Sequence, residues 1–457
     1  MRKRWVYWLG VLACGGIWIL AYLYFDGGKG RKRSADLIAL VCESKKPCCD
    51  FFQNWAAVVD WSQGRSLYTP LRENFERFEP RLGNVYTVAE KPPPTRPGLG
   101  SQTAIPMNAH PPFTSLLVLP LVGKPFSAAM EMWTWLNVVF LLATAVLLVG
   151  GADLPEGNEW LRWPLLAIFA AIGLSSLPMW QQFAEGNWNI VLLLLLTASW
   201  RLNRSGRPIG GGIAIGLAAL IKLYPMFLAV YFLFRKQWKG LAACCGTFAI
   251  GTVITIAVFD WHDHVYYVMN VLPSLKFQVP LGNVSLLAVV GRLFDPDQQS
   301  VAPLVNSKAY YKIYLLLSFS VLAAVLVSPI LWAVVKRNLT CQPDALFAAL
   351  AMGSLLFSPV TWFHNLVQVA LPCWLLAIES LRRQSIGLLF ILTLSSFTLW
   401  IGNIRFKSFL YENHIYVPYE IVTFAAAATY AMIAIYLAAC NATLRNAAAE
   451  KRLNNSL

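Results

Sequence analysis

The chain has 457 residues, 57% of them hydrophobic and only 13% charged, with a mean hydropathy of +0.53. Soluble domains carry about 25% charged residues, so this chain cannot clothe a water-facing surface and its solvent is a lipid bilayer. The formal net charge of +14 would suggest nucleic acid in a soluble protein. Here Lys and Arg gathered in cytoplasmic loops against anionic lipid explain it better, and no basic helix with interleaved aromatics offers a nucleic-acid groove.

A spanning helix needs roughly 20 mainly apolar residues. The first candidate, 5–25, follows Arg2, Lys3 and Arg4. It is long for a signal peptide and has no small-x-small cleavage site, so it reads as a transmembrane helix. Basic clusters alternate along the chain with charge-poor turns at 180–187, 222–225 and 359–364. The positive-inside rule then gives about twelve crossings with both ends cytoplasmic. The expected spans are 5–25, 128–150, 161–179, 187–201, 208–221, 224–235, 241–259, 312–335, 344–358, 365–381, 385–403 and 419–440. Parity makes 26–127 a first extracytoplasmic loop and 260–311 a second. The apolar piece 112–122 is too short to cross and is expected along the membrane face; 91–97 is a stiff proline-rich stretch. Cys42, Cys48 and Cys49 lie together in the first loop, where a disulfide is plausible chemistry outside the cytoplasm, with the pairing left open. Gly210, Gly211 and Gly212 form a small-residue packing patch.

Polar residues at membrane depth cost free energy unless they are used. Asp50 heads a segment in which Phe51, Trp55, Val58 and Val59 recur at helical spacing, an amphipathic helix expected on the outer membrane face. Asp50 stands where an N-cap belongs; its other reading is a carboxylate held at the lipid boundary as a general base. Lys222 interrupts the apolar stretch 213–234, and Pro225 breaks the helix behind it. A lysine at a broken helix is a natural phosphate anchor, against the alternative of snorkelling. His364 sits in the turn Ser358-Pro-Val-Thr-Trp362-Phe-His364-Asn365, suited to donate to a phosphate oxygen or to orient a hydroxyl. Asn187 and Asn189 occupy another turn, and Asn283 lies in the second outer loop; amides suit sugar hydroxyls because they donate and accept at once. His110-Pro-Pro-Phe113 marks the first loop's return to the membrane. His262-Asp263-His264 cannot readily chelate one ion in regular structure, so no metal ligand set is assigned and no cofactor is called for.

Taken in order, Asp50-Phe51, Gly64-Arg-Ser-Leu-Tyr68, His110-Pro-Pro-Phe113, Gly186-Asn-Trp-Asn189, Lys222-Leu-Tyr-Pro225, Gly282-Asn-Val-Ser-Leu286 and Ser358-Pro-Val-Thr-Trp-Phe-His364 resemble glycosyltransferase family 87. That family has the GT-C fold and includes bacterial mannosyltransferases of glycolipid assembly. The resemblance implies an all-α, GT-C-like bundle of about twelve transmembrane helices, with amphipathic juxtamembrane helices in the first extracytoplasmic loop. It implies an inverting transfer of a hexose, mannose first, from a polyprenyl-phosphate-linked donor to a glycolipid or glycan acceptor. The site would face the periplasm of a bacterial inner membrane. Asp50 would be the base and Lys222 and His364 the donor-phosphate ligands. Asn189, Asn283, His110 and Trp362 would line the sugar or acceptor site. Asn187 departs from the family's usual Gly-Gln-x-Asn, which loosens the inference to sugar identity. The competing expectation is a lipid or glycan transporter without covalent chemistry; it requires two related halves with paired broken helices, and the sequence has no such internal symmetry.

Overall fold

The computed structural model describes residues 49–78, 108–154, 159–275, 283–285, 343–356, 358 and 360–400. The expected spans 5–25, 312–335 and 419–440, the stretch 91–97, Cys42 and Cys48 lie outside the described residues. Within them the secondary structure is helical, apart from an isolated antiparallel bridge between Asn283 and Trp362. The helices used below are α1 Cys49–Ser62, α2 Leu71–Phe78, α3 Pro112–Val118, α4 Phe126–Gly151, α5 Arg162–Ser175, α6 Leu177–Glu185, α7 Asn189–Arg204, α8 Pro208–Ile221, α9 Ala229–Phe234, α10 Trp238–Phe259, α11 Trp261–Tyr266, α12 Pro343–Leu356, α13 Ala370–Arg383 and α14 Ile386–Trp400.

Among the described residues two helices, α4 with 26 residues and α10 with 22, are each long and apolar enough to cross a membrane. Both turn most of their apolar surface outward: Val139, Leu142 and Val146 on α4 and Ile250 and Val253 on α10 are exposed. In a bilayer these are the lipid-facing staves. Between them stand shorter helices, α7 and α8, whose side chains are largely buried and which pack on α4 and α10. The expected span 161–179 is interrupted: α5 ends at Ser175, and the chain bends by 62° into α6. The turn expected at 180–187 is therefore mostly the helix α6. Ser176 caps α6 by accepting from Met179 N at 3.3 Å, with Pro178 in the first turn, an N-terminus signal that the apolar run had hidden.

The small-residue patch serves a close helix crossing. A Cβ on Gly212 would lie 2.0 Å from the Gly240 carbonyl oxygen, and one on Gly216 would lie 2.6 Å from that of Cys244. Glycines four apart on α8 thus let the backbones of α8 and α10 meet. Backbone cannot swing aside as a side-chain tip can, so Gly212→Ala is expected to destabilise by about 1–3 kcal/mol. Gly246→Ala, which meets nothing within 4 Å, is expected to change little. Thermal unfolding of the two variants in detergent checks the contrast.

The largest departure from expectation is α1. Its residues 51–60 are buried on every face, so no stripe is left for lipid. Phe51 stacks on Trp133 of α4 at 5.4 Å and Phe52 on Phe75 of α2 at 4.7 Å. The polar residues are buried because they are used. Gln53 Oε1 accepts from Ala109 N at 3.1 Å, and Thr114 Oγ donates to Asn54 Oδ1 at 2.6 Å. The polar face that reads as water-facing instead tethers the loop returning at 108–114. That piece, α3 with the 3₁₀ turn Leu119–Leu121, packs against α1, α8 and α10.

Candidate active site

Four chain breaks meet at one end of the bundle. The first is the start of α1. The helix begins at Cys49, so Asp50 lies in its first turn rather than at the cap. The second is the α6–α7 turn. Gly186 takes φ 62°, ψ 32°, the left-handed conformation that ends α6 and that glycine adopts without strain. The third is the end of α8, where Lys222 is extended at φ −144°, ψ 139°. Pro225 has no N–H to continue the helix, and its ring would clash with the carbonyl of Ile221, the last helical residue. The fourth is the 3₁₀ segment Phe363–Val369 that precedes α13. The chain was expected to enter a membrane span there; it instead makes an unusually long 3₁₀ run. Residues three apart eclipse in that geometry, which puts Asn365 and Gln368 on one edge.

Aromatic packing fixes the first break against the second. Phe51 stacks on Trp133, whose ring lies 4.5 Å from that of Trp188. Trp133 Nε1 also donates to Gly186 O at 2.7 Å. Asp50 and Asn187 are the chain neighbours of Phe51 and Trp188, and Asn187 Nδ2 donates to Asp50 Oδ2. Asn187 Oδ1 accepts from Lys222 Nζ at 3.0 Å and from Trp188 N at 2.7 Å. Lys222 reaches two further amide oxygens, Asn189 Oδ1 at 3.3 Å and Asn365 Oδ1 at 3.4 Å. His364 Nε2 lies 3.1 Å from Asn187 Nδ2 and 3.8 Å from Asp50 Oδ2.

The donors settle the proton positions. An ammonium and a backbone N–H can only donate, so the atom of Asn187 facing Lys222 and Trp188 is the oxygen. The atom facing Asp50 and His364 is therefore the NH₂. His364 Nε2 accepts from it, and the imidazole is neutral with its proton on Nδ1. Electrostatics agrees: burial, then the charge of Lys222, then His110 hold His364 well below the usual histidine range. Burial also raises the Asp50 carboxyl, although the Asn187 N–H and the Lys222 charge oppose it. Burial lowers the Lys222 ammonium to about 8 despite Asp50. Asp50 keeps 20% of its side-chain surface and Lys222 is partly exposed, whereas Asn187, Asn189 and Asn365 are buried. The two ionisable groups thus keep some exposure while the amides that join them are covered.

The other expected residues divide. His110 belongs to the cluster: it is buried, Nε2 has no hydrogen-bond partner, and burial followed by the charge of Lys222 lowers it to about 3. Asn189 is in the network, with Nδ2 donating to Gln182 Oε1 at 3.0 Å and Oδ1 accepting from Gln368 Nε2 at 3.0 Å. Asn283 acts as a tether: Oδ1 accepts from Ser285 N at 3.1 Å and from Thr361 N at 2.9 Å. It bridges to Trp362, which remains partly exposed. Gln182, Tyr224, Asn365 and Gln368 received no role from the sequence, yet all belong to the network. Only Asn365 and Tyr224, inside quoted motifs, carried any signal. The Gly64–Tyr68 motif is a scaffold: Ser66 Oγ donates to Asp263 Oδ1 at 2.6 Å and Tyr68 Oη to His110 O at 3.0 Å. Asp263 therefore joins the 64–68 segment to α11, while His264 Nε2 lies 2.8 Å from Thr255 Oγ.

A bundle of apolar helices thus brings a carboxylate, an ammonium and two imidazoles together at one end, a candidate acid–base site. The chain belongs to glycosyltransferase family 87, whose family model matches residues 108–359; it is a glycosyltransferase. The match includes His110, Asn187, Asn189, Lys222 and Asn283. Asp50, Trp362 and His364 lie outside it and are joined to it by geometry. Among curated proteins the chain is similar to a polyprenol-phosphate-mannose-dependent alpha-(1-2)-phosphatidylinositol mannoside mannosyltransferase of Mycobacterium tuberculosis, 24% identical over 64% of this chain and 67% of the relative. It is similar to a pentamannoside mannosyltransferase of Mycolicibacterium smegmatis, also polyprenol-phosphate-mannose-dependent, at 24% over 58% and 60%. It also resembles an alpha-(1->3)-arabinofuranosyltransferase of M. tuberculosis at 30% over 40% and 41%. The chain thus spans at most about two thirds of the length of these relatives. No solved structure matches.

Proposed function

We propose that this chain is an inverting hexosyltransferase that moves mannose from a polyprenyl-phosphate-linked donor to a hydroxyl of a glycolipid or glycan acceptor. The observation that carries the reading is the reach of one amide, Asn187, from the Asp50 carboxylate to the Lys222 ammonium. A donor with an isoprenoid tail keeps its reactive carbon near the membrane surface, where a site at one end of an apolar bundle can meet it.

In this reading Asp50 takes the proton of the acceptor hydroxyl as its oxygen bonds to the anomeric carbon. The bond from that carbon to the phosphate oxygen breaks, and polyprenyl phosphate leaves with the electron pair. Lys222 stabilises the charge that develops on it. One displacement inverts the anomeric centre. His364 supports the phosphate and Asn189, Asn283, His110 and Trp362 the sugar or acceptor, Asn283 by fixing the loop that carries Trp362. The outer face is favoured by charge: α7 runs from Asn189 at the site to Arg201 and Arg204 at its other end, and basic helix ends mark the cytoplasmic side. The setting is then a bacterial inner membrane, with the site towards the periplasm.

Comparative lipid mass spectrometry of cells with and without the protein tests this function. The expected result is loss of one glycolipid or glycan species and accumulation of its precursor, smaller by one hexose. An unchanged glycan inventory under conditions of expression would sink the proposal.

A further inference from the structure

We propose that Asn187 is the positioning residue of this site, a neutral spacer that holds the Asp50 carboxylate and the Lys222 ammonium apart so that each faces a substrate group. The inference rests on the glycosyltransferase reading for its catalytic consequence, but not for its electrostatics. The Asn187 side chain has two N–H donors and two acceptor lone pairs, and all four are used. The donors meet Asp50 and His364, and the acceptors meet Lys222 and Trp188 N. Its backbone is held too: its O accepts from Gln182 Nε2, and its N–H donates to Gln182 O at 3.3 Å.

Only an amide fits this position. A carboxylate would set two anions side by side at Asp50, and an apolar residue would let Asp50 and Lys222 close on one another. A direct ion pair at low dielectric holds its members strongly, and the substrate would have to break it before either group could act. The amide offers opposite partial charges to opposite full charges and leaves both ions reachable. The titratable groups around it are Asp50 from α1, His110 ahead of α3, Lys222 and Tyr224 from the break after α8, and His364 from the 3₁₀ segment.

The test uses the full chain, purified in lipid nanodiscs, as wild type and as Asn187→Asp, Asn187→Ala and Asn187→Gln. The first readout is the pH midpoint of Lys222 acylation by an amine-reactive reagent, measured by peptide mass spectrometry. It requires no turnover. The wild-type midpoint is expected near 8, with an upward shift of about one pH unit in Asn187→Ala and Asn187→Asp as carboxylate approaches the ammonium. The second readout is transfer of mannose from polyprenyl-phosphate-mannose. In both variants kcat is expected to fall about 100-fold with donor KM nearly constant, and the acid limb of Asn187→Asp to move to higher pH. Asn187→Gln, which keeps the amide, should recover most of the midpoint and part of kcat. Midpoints equal to wild type in all three variants overturn the inference, as does a kcat in the near-isosteric Asn187→Asp within threefold of wild type. A shifted midpoint in a protein that transfers no mannose leaves the spacer role standing and refutes the donor assignment instead.

Discussion

Asp50→Asn is expected to insert and fold normally and to lose transfer by about 10²–10⁴-fold in kcat, the range for removing a general base. Folding should survive because α1 is held by Phe51, Phe52, Gln53 and Asn54 rather than by the carboxylate. Donor affinity should change little, since the proposed mechanism gives the donor phosphate to Lys222 and not to Asp50. Steady-state kinetics with the acceptor saturating separates the two effects: an unchanged kcat would remove Asp50 from the mechanism. The pH profile has a worked sign. Asp50 is a base only when ionised, and burial raises its pKa. Activity therefore falls as pH drops, with the acid limb above the ordinary carboxylate range. In Asp50→Asn that limb disappears along with the rate.

Lys222→Met should cost about 10²–10³-fold, the scale for removing a group that stabilises transition-state charge. It should also weaken donor binding. Wild-type transfer is expected to fall as pH rises through about 8, where the buried ammonium gives up its proton. Lys222→Arg keeps the charge at every accessible pH, so its residual activity should lack the alkaline limb. Together with Asp50 this gives a bell-shaped profile with one residue on each side, and a pH–rate series on the two variants assigns the limbs. An alkaline limb retained in Lys222→Arg would assign that limb to another group.

The sequence pointed to the charged members of the candidate cluster and to Asn187, Asn189, His110 and His364 among the neutral ones, and gave no role to Gln182, Tyr224, Asn365 and Gln368. Asp50 and Lys222 were legible because an ionisable residue in apolar surroundings has few alternative explanations. Gln182 and Gln368 were not, because an amide within a helix or at its edge is common and its partners lie far away in the chain. The ends of α8 were legible from Pro208 and Lys222, and the spans at α4 and α10 from their length. The bend at Ser176 was masked because the apolar runs 164–174 and 177–180 read as one span across Ser175 and Ser176. Helix α1 was recognised as a helix, but its polar side was assigned to water. Gln53 and Asn54 look like solvent-facing residues until the loop at 108–114 is folded over them, a long-range pairing invisible to periodicity. Gly64–Tyr68 was quoted as a motif with no role, since its partners Asp263 and His110 lie in other segments.

The most direct measurement is product stoichiometry from purified protein reconstituted in liposomes with polyprenyl-phosphate-[¹⁴C]mannose and a mannosylated glycolipid. The account requires one labelled mannose joined to the acceptor for each polyprenyl phosphate released, with inverted anomeric configuration. Label that crosses the bilayer while still attached to its carrier, with no new glycosidic bond, would contradict it.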